Sequence, residues 1–253
     1  MKAIILAAGK GTRLGKLTLD KPKGMLDFMG KTLLEHQISI YRLAGFTDIT
    51  IVRGYKKNKI NYKDINYIDN DLYDETNMIE SLICARDQIN DDCVISYSDI
   101  LFSTNLLNSL IKNQGSVVVT VDSNWKKYWK QRYGNLMEDL EDLQIVNNEV
   151  IKIGQAVSDS ESLHYRYVGL NKFTLKGMKK MLALYDKKKS LNEKWRSSEN
   201  DFKNGYMTDI LQEMIDQNNV VIPHYTKNEW LEIDTESDYV VAKNLYLNKE
   251  FEF

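Results

Sequence analysis

The sequence predicts an α/β fold: a Rossmann-like mixed, mainly parallel sheet flanked by helices, with an antiparallel elaboration in the second half. Through residues 1–121, short apolar runs alternate with segments of helical periodicity, which is typical of parallel strands joined by helices. Beyond that point, consecutive alternating runs are separated by a tight polar turn, which indicates antiparallel pairing. No Pro/Gly/Ser-rich linker divides the chain. We therefore expect one domain over residues 1–253, with halves at residues 1–121 and 122–253.

The elements of the first half follow from apolar spacing and from glycine. Residues 2–8 (KAIILAA) form an apolar run that ends at a glycine, which predicts a buried strand. Residues 31–44 carry apolar side chains at helical spacing, and Gly45 after them is a typical helix stop. The same criteria predict strands at residues 48–52, 65–68, 93–97 and 116–121, and helices at residues 77–89 and 106–112.

The second half begins with strand-like segments. Asn147–Asn148, which lies within the segment at residues 143–153, is a typical tight hairpin turn. A polar segment at residues 189–205, with one isolated tryptophan, is predicted as a loop. The remaining predictions are strands at residues 133–140, 143–153, 165–173, 220–222 and 230–233, and helices at residues 174–188, 207–218 and 236–248.

Composition excludes several classes of protein. Lys plus Arg is 34 and Asp plus Glu is 36, a net charge of -2 that argues against a general nucleic-acid or membrane-surface binder. No apolar run approaches the roughly 20 residues of a bilayer span, and the first run ends at Ala8, short of a signal-peptide core. Cys84 and Cys93 are too few for a disulfide framework. We expect a cytoplasmic protein with no nucleic-acid or membrane partner.

A glycine-rich loop at residues 6–15 (LAAGKGTRLG) follows the first strand. Its glycines allow backbone N–H groups to approach an anion, and Lys10 and Arg13 add charge suited to phosphate oxygens. The loop is not a Walker motif, because no Gly-Lys-Ser/Thr closes it. The sequence therefore predicts a polyphosphate site, with a dinucleotide turn or an ordinary strand-to-helix turn as alternatives.

Three further charged positions extend this hypothesis. Lys23 follows Pro22, whose fixed backbone lets the lysine point reproducibly toward the loop. Asp99 and Asp234 come directly after predicted strands, where ligands of open α/β sheets bind. Two such carboxylates suit Mg²⁺, which also takes phosphate oxygens. The alternative for each aspartate is an N-cap of the following helix.

The order L-A-A-G-x-G-T-R-L, K-P-K, an Asp after a strand, and E-I-D-T resembles the nucleotidyltransferases that make sugar nucleotides and CDP-activated compounds. The resemblance covers nearly the whole chain. It implies that the glycine loop holds a nucleoside triphosphate in the first half and that an acceptor binds in the second half. It also implies that Lys23 contacts phosphate and that Asp99 and Asp234 hold Mg²⁺.

The segment at residues 76–82 (TNMIESL) is similar to T-N-x-x-x-S-L of small cytidylyltransferases, which act on phosphocholine, 2-aminoethylphosphonate and related compounds. This resemblance implies CTP, with Ser81 near the cytosine; a helix cap and a surface hydroxyl are the alternatives for Asn77 and Ser81. The chain is also similar to the branch that makes CDP-L-glutamine for capsule decoration. The nucleotide-binding residues implied are Leu6, Ala7, Ala8, Gly9, Lys10, Gly11, Thr12, Arg13, Lys23, Asn77 and Ser81, with Lys23 and Arg13 as catalytic residues.

The acceptor site is predicted in the second half. Arg166 lies in a strand where many relatives carry an acidic residue; it either reaches the acceptor or lies on the outer face. Trp125 and Tyr133 belong to an aromatic and basic segment that would suit a cage for a quaternary amine. The alternative is a core-facing helix stripe, because aromatic residues recur in that segment at helical spacing.

The reaction implied is Mg²⁺-dependent transfer of CMP from CTP to a small phosphorylated or phosphonate acceptor. For the oligomeric state, the sequence leaves a homodimer open. Three other functions compete with this reaction. An NADP-dependent oxidoreductase would use the glycine loop and Arg53, but would leave Lys23 and both aspartates without a role. A non-catalytic nucleotide-binding regulator would be expected to lack one of these groups. The third is a sugar-1-phosphate nucleotidylyltransferase that uses another nucleotide.

Overall fold

The structure is a computed structural model that describes all 253 residues. Its strands are β1 (Lys2–Ala7), β2 (Asp27–Phe28), β3 (Lys31–Thr32), β4 (Ile49–Arg53), β5 (Asn66–Asp69), β6 (Cys93–Tyr97), β7 (Ile100–Phe102), β8 (Val117–Asp122), β9 (Glu141–Val146), β10 (Glu149–Ala156), β11 (Arg166–Phe173), β12 (Ile222–Thr226) and β13 (Trp230–Glu232). Its helices are α1 (Leu33–Leu43), α2 (Met78–Cys84), α3 (Thr104–Lys112), α4 (Trp125–Tyr133), α5 (Leu175–Leu191), α6 (Met207–Asp216) and α7 (Glu236–Leu247). None of these helices has the length and apolar content of a membrane span.

Seven strands form the central sheet in the order β12-β8-β11-β6-β1-β4-β5, which confirms the predicted fold class. Only β11 runs antiparallel to its neighbours; the other pairs are parallel. β1 is buried along its whole length because it lies between β4 and β6. The chain therefore leaves β1 in the middle of the carboxyl edge of the sheet, where the glycine loop begins.

Two hydrophobic cores cover the two faces of this sheet. Successive side chains of β1 point alternately into the two cores, so Ile5 lies in the first core and Ile4 in the second. The first core also contains Trp125 and Trp230, and the second contains Trp195. Both halves of the chain therefore contribute side chains to each face.

The β9–β10 hairpin turns at Asn147 and Asn148, as predicted, and both residues have positive φ (52° and 62°). The predicted strand at residues 133–140 is wrong. Tyr133 is the last residue of α4, Gly134 (φ 71°) ends that helix, and residues 134–140 form bends and irregular backbone. Helical spacing of the aromatic residues outweighs local strand propensity here.

Candidate active site

A cleft of about 270 Å³ lies at the carboxyl edge of the central sheet. β1 and β6 are parallel neighbours, so the residues that follow them meet at this edge. Most of the predicted nucleotide-binding residues line the cleft: Leu6, Ala8, Gly9, Gly11, Thr12, Arg13, Lys23, Asn77 and Ser81. Two do not. Ala7 is buried in the first core, and Lys10 is exposed, with its ammonium 5.6 Å from the ring centroid of Tyr55.

Gly11, in the middle of the glycine loop, fits tightly against Lys23. Its φ of 72° lies in the left-handed region, and a Cβ at this position would come within 2.9 Å of the Lys23 Cβ. The Gly11 carbonyl accepts hydrogen bonds from the Leu14 N–H (3.1 Å) and the Thr18 hydroxyl (2.9 Å). Glycine at position 11 therefore lets the loop turn and lets the lysine pass beside it.

The Lys23 ammonium lies between the two predicted metal carboxylates. It donates to Asp99 Oδ2 at 2.7 Å and to Asp234 Oδ1. Burial of the lysine favours the neutral amine, but the two carboxylates outweigh this effect and raise the pKa of Lys23. The side chain is therefore a buried, fixed positive charge at the floor of the cleft.

Arg13 approaches the same cluster from the solvent side. Its Nη2 lies 3.0 Å from Asp234 Oδ2, while 61% of its side chain remains exposed. Burial would raise the pKa of Asp234, but Lys23 and Arg13 lower it below the ordinary aspartate value. Arg13 is therefore free at one end to contact a further anion in the cleft.

Asp99 and Asp234 are the residues that could hold a divalent cation. Asp99 Oδ1 is buried and has no hydrogen-bond partner, and the opposite oxygen binds the Lys23 ammonium. The chain contains no cluster of three or more His, Cys, Asp or Glu side chains arranged to hold a metal ion. These two carboxylates fit a cation that takes its remaining ligands from phosphate and water, as Mg²⁺ does.

The opposite end of the cleft is formed by the start of α2. Asn77 is its N-cap and accepts from the Met78 N–H at 2.8 Å, and Ser81 accepts from Asn70 Nδ2 at 3.0 Å. Asn77 is therefore the predicted helix cap, whereas Ser81 is 6% exposed and is not the surface hydroxyl of the alternative. Both residues line the cleft, and their contact with a nucleotide stays a prediction. The sequence did not predict five further lining residues, Tyr73, Thr76, Met78, Tyr97 and Ser98, although all but Tyr73 adjoin a predicted residue or the strand before Asp99.

A second cavity of about 380 Å³ adjoins the cleft and shares Arg13, Asp99 and Asp234 with it. Its far wall comes from β9, β11 and the start of α6. Arg166 lines this cavity; it pairs with Asp139 at 2.7 Å and lies 4.5 Å from the ring centroid of Trp129. The Lys23–Asp cluster therefore stands where two ligands would meet.

The other two residues predicted for the acceptor lie elsewhere, which corrects the cage hypothesis. Trp125 is 1% exposed in the first core, and Tyr133 is half-buried against Trp129. Neither lines the cleft or the second cavity. α4 turns its aromatic stripe inward, and the Arg132 guanidinium lies 4.6 Å from the ring centroid of Trp129, so no open cage forms.

Glu232 is a charged residue of the second cavity that the sequence did not predict. It pairs with the Arg132 guanidinium. Burial raises the pKa of Glu232 to about 7, and Arg132 opposes this effect while Asp234 and Asp99 reinforce it. Its position two residues before Asp234 was the only signal in the sequence.

Comparison with known proteins places these features in a family. A family model described as a MobA-like NTP transferase domain matches residues 3–163. The chain is 34% identical over 252 residues to a CTP:phosphoglutamine cytidylyltransferase of Campylobacter jejuni, covering 95% of this chain and 98% of that protein. It is 27% identical over 253 residues to a choline-phosphate cytidylyltransferase of Streptococcus pneumoniae, covering 98% and 100%.

Solved structures support the same fold. A CTP:phosphocholine cytidylyltransferase from Streptococcus pneumoniae aligns with a TM-score of 0.75 and 22% identity over 97% of this chain and 98% of that one. An inositol-1-phosphate CTP transferase from T. maritima aligns with a TM-score of 0.71 and 21% identity over 96% of both chains. The family match and the 34% identical relative assign the chain to the NTP transferases and not to the oxidoreductases. Arg53, which the oxidoreductase alternative would use, pairs with Asp69 at 2.9 Å.

Proposed function

The chain belongs to the MobA-like NTP transferase family, and on this premise we propose that it is a cytidylyltransferase that moves CMP from CTP to the phosphate of a small metabolite. The first candidate acceptor is L-glutamine phosphate, which would give CDP-L-glutamine for capsular polysaccharide modification in the cytoplasm. The whole-length similarity to the phosphoglutamine enzyme supports this acceptor. Phosphocholine is the second candidate, supported by the whole-length similarity to the choline-phosphate enzyme.

The observation that carries the proposal is the Lys23 ammonium held between Asp99 and Asp234 where the two cavities meet. In nucleotidyl transfer, an acceptor phosphate oxygen attacks the α-phosphorus of CTP in line and pyrophosphate leaves. Charge accumulates on the phosphorus oxygens, so a fixed cation beside them stabilises the transition state. We assign Lys23 to the α-phosphate and the acceptor phosphate, and Arg13 to the β- and γ-phosphates.

The acceptor needs no general base, because its phosphate is already ionised near neutral pH, with a second pKa of about 6. This agrees with the histidines of the chain, none of which lines either cavity. Asp99 and Asp234 would hold Mg²⁺, which supplies charge neutralisation and orientation of the triphosphate when bound. The protein then contributes positioning and electrostatics.

The decisive experiment is pyrophosphate release from CTP, UTP, dTTP, GTP and ATP, each against L-glutamine phosphate, phosphocholine, 2-aminoethylphosphonate and a sugar 1-phosphate. We expect release with CTP and a phosphorylated small molecule, its loss on chelation by EDTA, and recovery with added Mg²⁺. Absence of release from CTP with every acceptor, with Mg²⁺ present, would refute the proposal. Preference for UTP or dTTP with the sugar phosphate would favour the sugar-nucleotide alternative.

A further inference from the structure

The second cavity is rich in negative charge, and nearly all of that charge is neutralised within the protein. Five carboxylates line it: Asp99, Asp139, Glu141, Glu232 and Asp234. Lys23 pairs with the two aspartates shared with the cleft, and Arg13 also pairs with one of them, Asp234. Arg166 pairs with Asp139, and Arg132 pairs with Glu232, so four cations face these four carboxylates. Glu141 is the carboxylate left over.

Glu141 is the first residue of β9 and makes no side-chain hydrogen bond or ion pair. Burial raises the pKa of this carboxyl; Arg166 opposes the rise, and Asp139 adds to it. Glu141 is half-buried, and a carboxylate withdrawn from water without a partner is costly, so proteins ordinarily pair such a group. The missing partner of Glu141 would therefore be a cationic group that enters the cavity from outside.

Arg166 provides the opposite charge in the same cavity. Asp139 and the Trp129 ring fix its guanidinium, and it is close enough to Glu141 to influence the pKa of that carboxyl without pairing with it. The cavity thus presents one anionic and one cationic group to the same ligand. The rings of Tyr97 and Tyr167, at 77° to each other with centroids 6.2 Å apart, add an aromatic wall.

We propose that this cavity binds the head group of a zwitterionic acceptor, with Glu141 holding its ammonium group and Arg166 its carboxylate. The inference rests on the proposed function, which assigns the phosphate end of the acceptor to Lys23. A phosphorylated amino acid carries all three groups. Phosphocholine and 2-aminoethylphosphonate offer a cation but no carboxylate, and a sugar phosphate offers neither.

The test compares L-glutamine phosphate with two analogues, one without the α-amino group and one without the α-carboxylate. Each compound is titrated calorimetrically into the protein in the presence of a non-hydrolysable CTP analogue, and each is assayed for pyrophosphate release with CTP. A charge-assisted contact in a desolvated site corresponds to a preference of about 10- to 100-fold. We expect Glu141→Gln to abolish the preference over the deamino analogue, and Arg166→Met to abolish the preference over the decarboxy analogue.

Two controls separate recognition from damage to the fold. Glu149→Gln alters an exposed glutamate at the other end of the same hairpin and should retain both preferences. The affinity of Glu141→Gln for the CTP analogue should match that of the unmodified protein, because Glu141 does not line the nucleotide cleft. Equal affinity of the unmodified protein for all three compounds, or an unaltered preference in Glu141→Gln, would overturn the inference.

Calorimetry also separates failure of this inference from failure of the proposed function. If no nucleotide supports pyrophosphate release, the proposed reaction fails, and the binding preferences still decide the roles of Glu141 and Arg166. If CTP supports release and the preferences are absent, the reaction stands and the zwitterion inference fails.

Discussion

Lys23 is the residue on which the proposed chemistry most depends. Its ammonium is buried between two carboxylates, so Lys23→Ala should leave both without their shared cation and remove the fixed charge at the α-phosphate. We expect kcat to fall about 100- to 1,000-fold, by analogy with the loss of one transition-state donor. Steady-state kinetics should resolve kcat and KM.

The matched control for Lys23 is Lys16→Ala, an exposed lysine that lines neither cavity, which should retain full activity. An unchanged kcat/KM in Lys23→Ala would remove that lysine from the mechanism.

Asp234 should make the stability of the fold depend on acidity. Lys23 and Arg13 lower its pKa in the folded state, despite the opposing effect of burial. The folded protein therefore binds fewer protons here than the unfolded chain does. The contribution to stability is complete above the unfolded pKa of about 4 and is lost as pH falls through the folded pKa.

The measurement is urea unfolding between about pH 6 and pH 2.5, the range that brackets an aspartate pKa. Asp234→Asn should lose stability less steeply on acidification than the unmodified protein, whereas the exposed Asp20→Asn should follow the unmodified protein. Parallel curves for Asp234→Asn and the unmodified protein would contradict this account.

At the residue scale, the sequence predicts Lys23 and its two aspartate partners, but it predicts only part of the second cavity. Lys23, Asp99 and Asp234 stand at recognisable positions, after a proline or at strand ends. Glu141 and Glu232 have no such signal, because their role depends on which strand packs over which. Trp125 shows the converse: its type suits a ligand cage, but its helical spacing buries it.

The glycine loop is the element whose backbone is most constrained. Gly11→Ala would force a side chain into the left-handed region and within 2.9 Å of the Lys23 Cβ. We expect a lower melting temperature and a lower kcat, because Lys23 must shift. Gly9 has no atom within 4 Å of an added Cβ, so Gly9→Ala should keep the melting temperature of the unmodified protein. Equal melting temperatures for both variants would refute this packing.

The Asp209 carboxylate holds the segment between α5 and α6 in place through several hydrogen bonds. Asp209, 2% exposed, accepts from the Ser197 hydroxyl at 2.7 Å, the Ser198 hydroxyl at 2.9 Å and the Tyr206 N–H at 2.8 Å. Tyr206 lines the second cavity. Asp209→Ala should therefore raise KM for the acceptor far more than KM for CTP, and should destabilise the fold by about 1–3 kcal/mol.

Asp216→Ala is the control for this segment, since it lies exposed near the end of the same helix. Kinetics with each substrate varied in turn, together with urea unfolding, give both quantities. An equal rise of both KM values would show that Asp209 supports the fold generally and not the acceptor side.

At the scale of elements, the helices, strands and turns with regular residue patterns were predictable, but the residues at which they begin and end were less so. The Asn147–Asn148 turn was predicted because few residues adopt two successive positive φ angles. The segment at residues 189–205 was predicted as a polar loop, yet α5 extends to Leu191 and Trp195 is completely buried. Its isolated tryptophan was a signal of packing that local polarity obscured, because the contacts of Trp195 come from the second core.

At the scale of the whole molecule, the site joins the two halves of the chain. The cleft draws nearly all its wall from the first half, and only Asp234 comes from the second. Asp234 lines both cavities and pairs with Lys23, so it connects the nucleotide cleft with the acceptor cavity. The lack of a Pro/Gly/Ser-rich linker predicted one domain, but it gave no information on which segments share a sheet. In the structure, β8, β11 and β12 supply that connection.

One shared sheet leads us to expect that both cores unfold in a single cooperative transition. Trp125, Trp129 and Trp230 are at most 2% exposed in the first core, and the second contains Cys93 at 0%. In a Cys84→Ser, Trp195→Phe protein, tryptophan fluorescence therefore reports only the first core and thiol labelling only the second. Replacing Trp195 removes packing from the second core alone.

If the sheet couples the two faces, fluorescence and Cys93 labelling should show one common midpoint in denaturant. That midpoint should lie below the one for Cys84→Ser alone, because a loss of packing on one face destabilises the whole cooperative unit. If the faces were independent, only the labelling midpoint would fall and the fluorescence midpoint would stay in place. That outcome would divide the chain into two folding units and contradict the single-domain prediction.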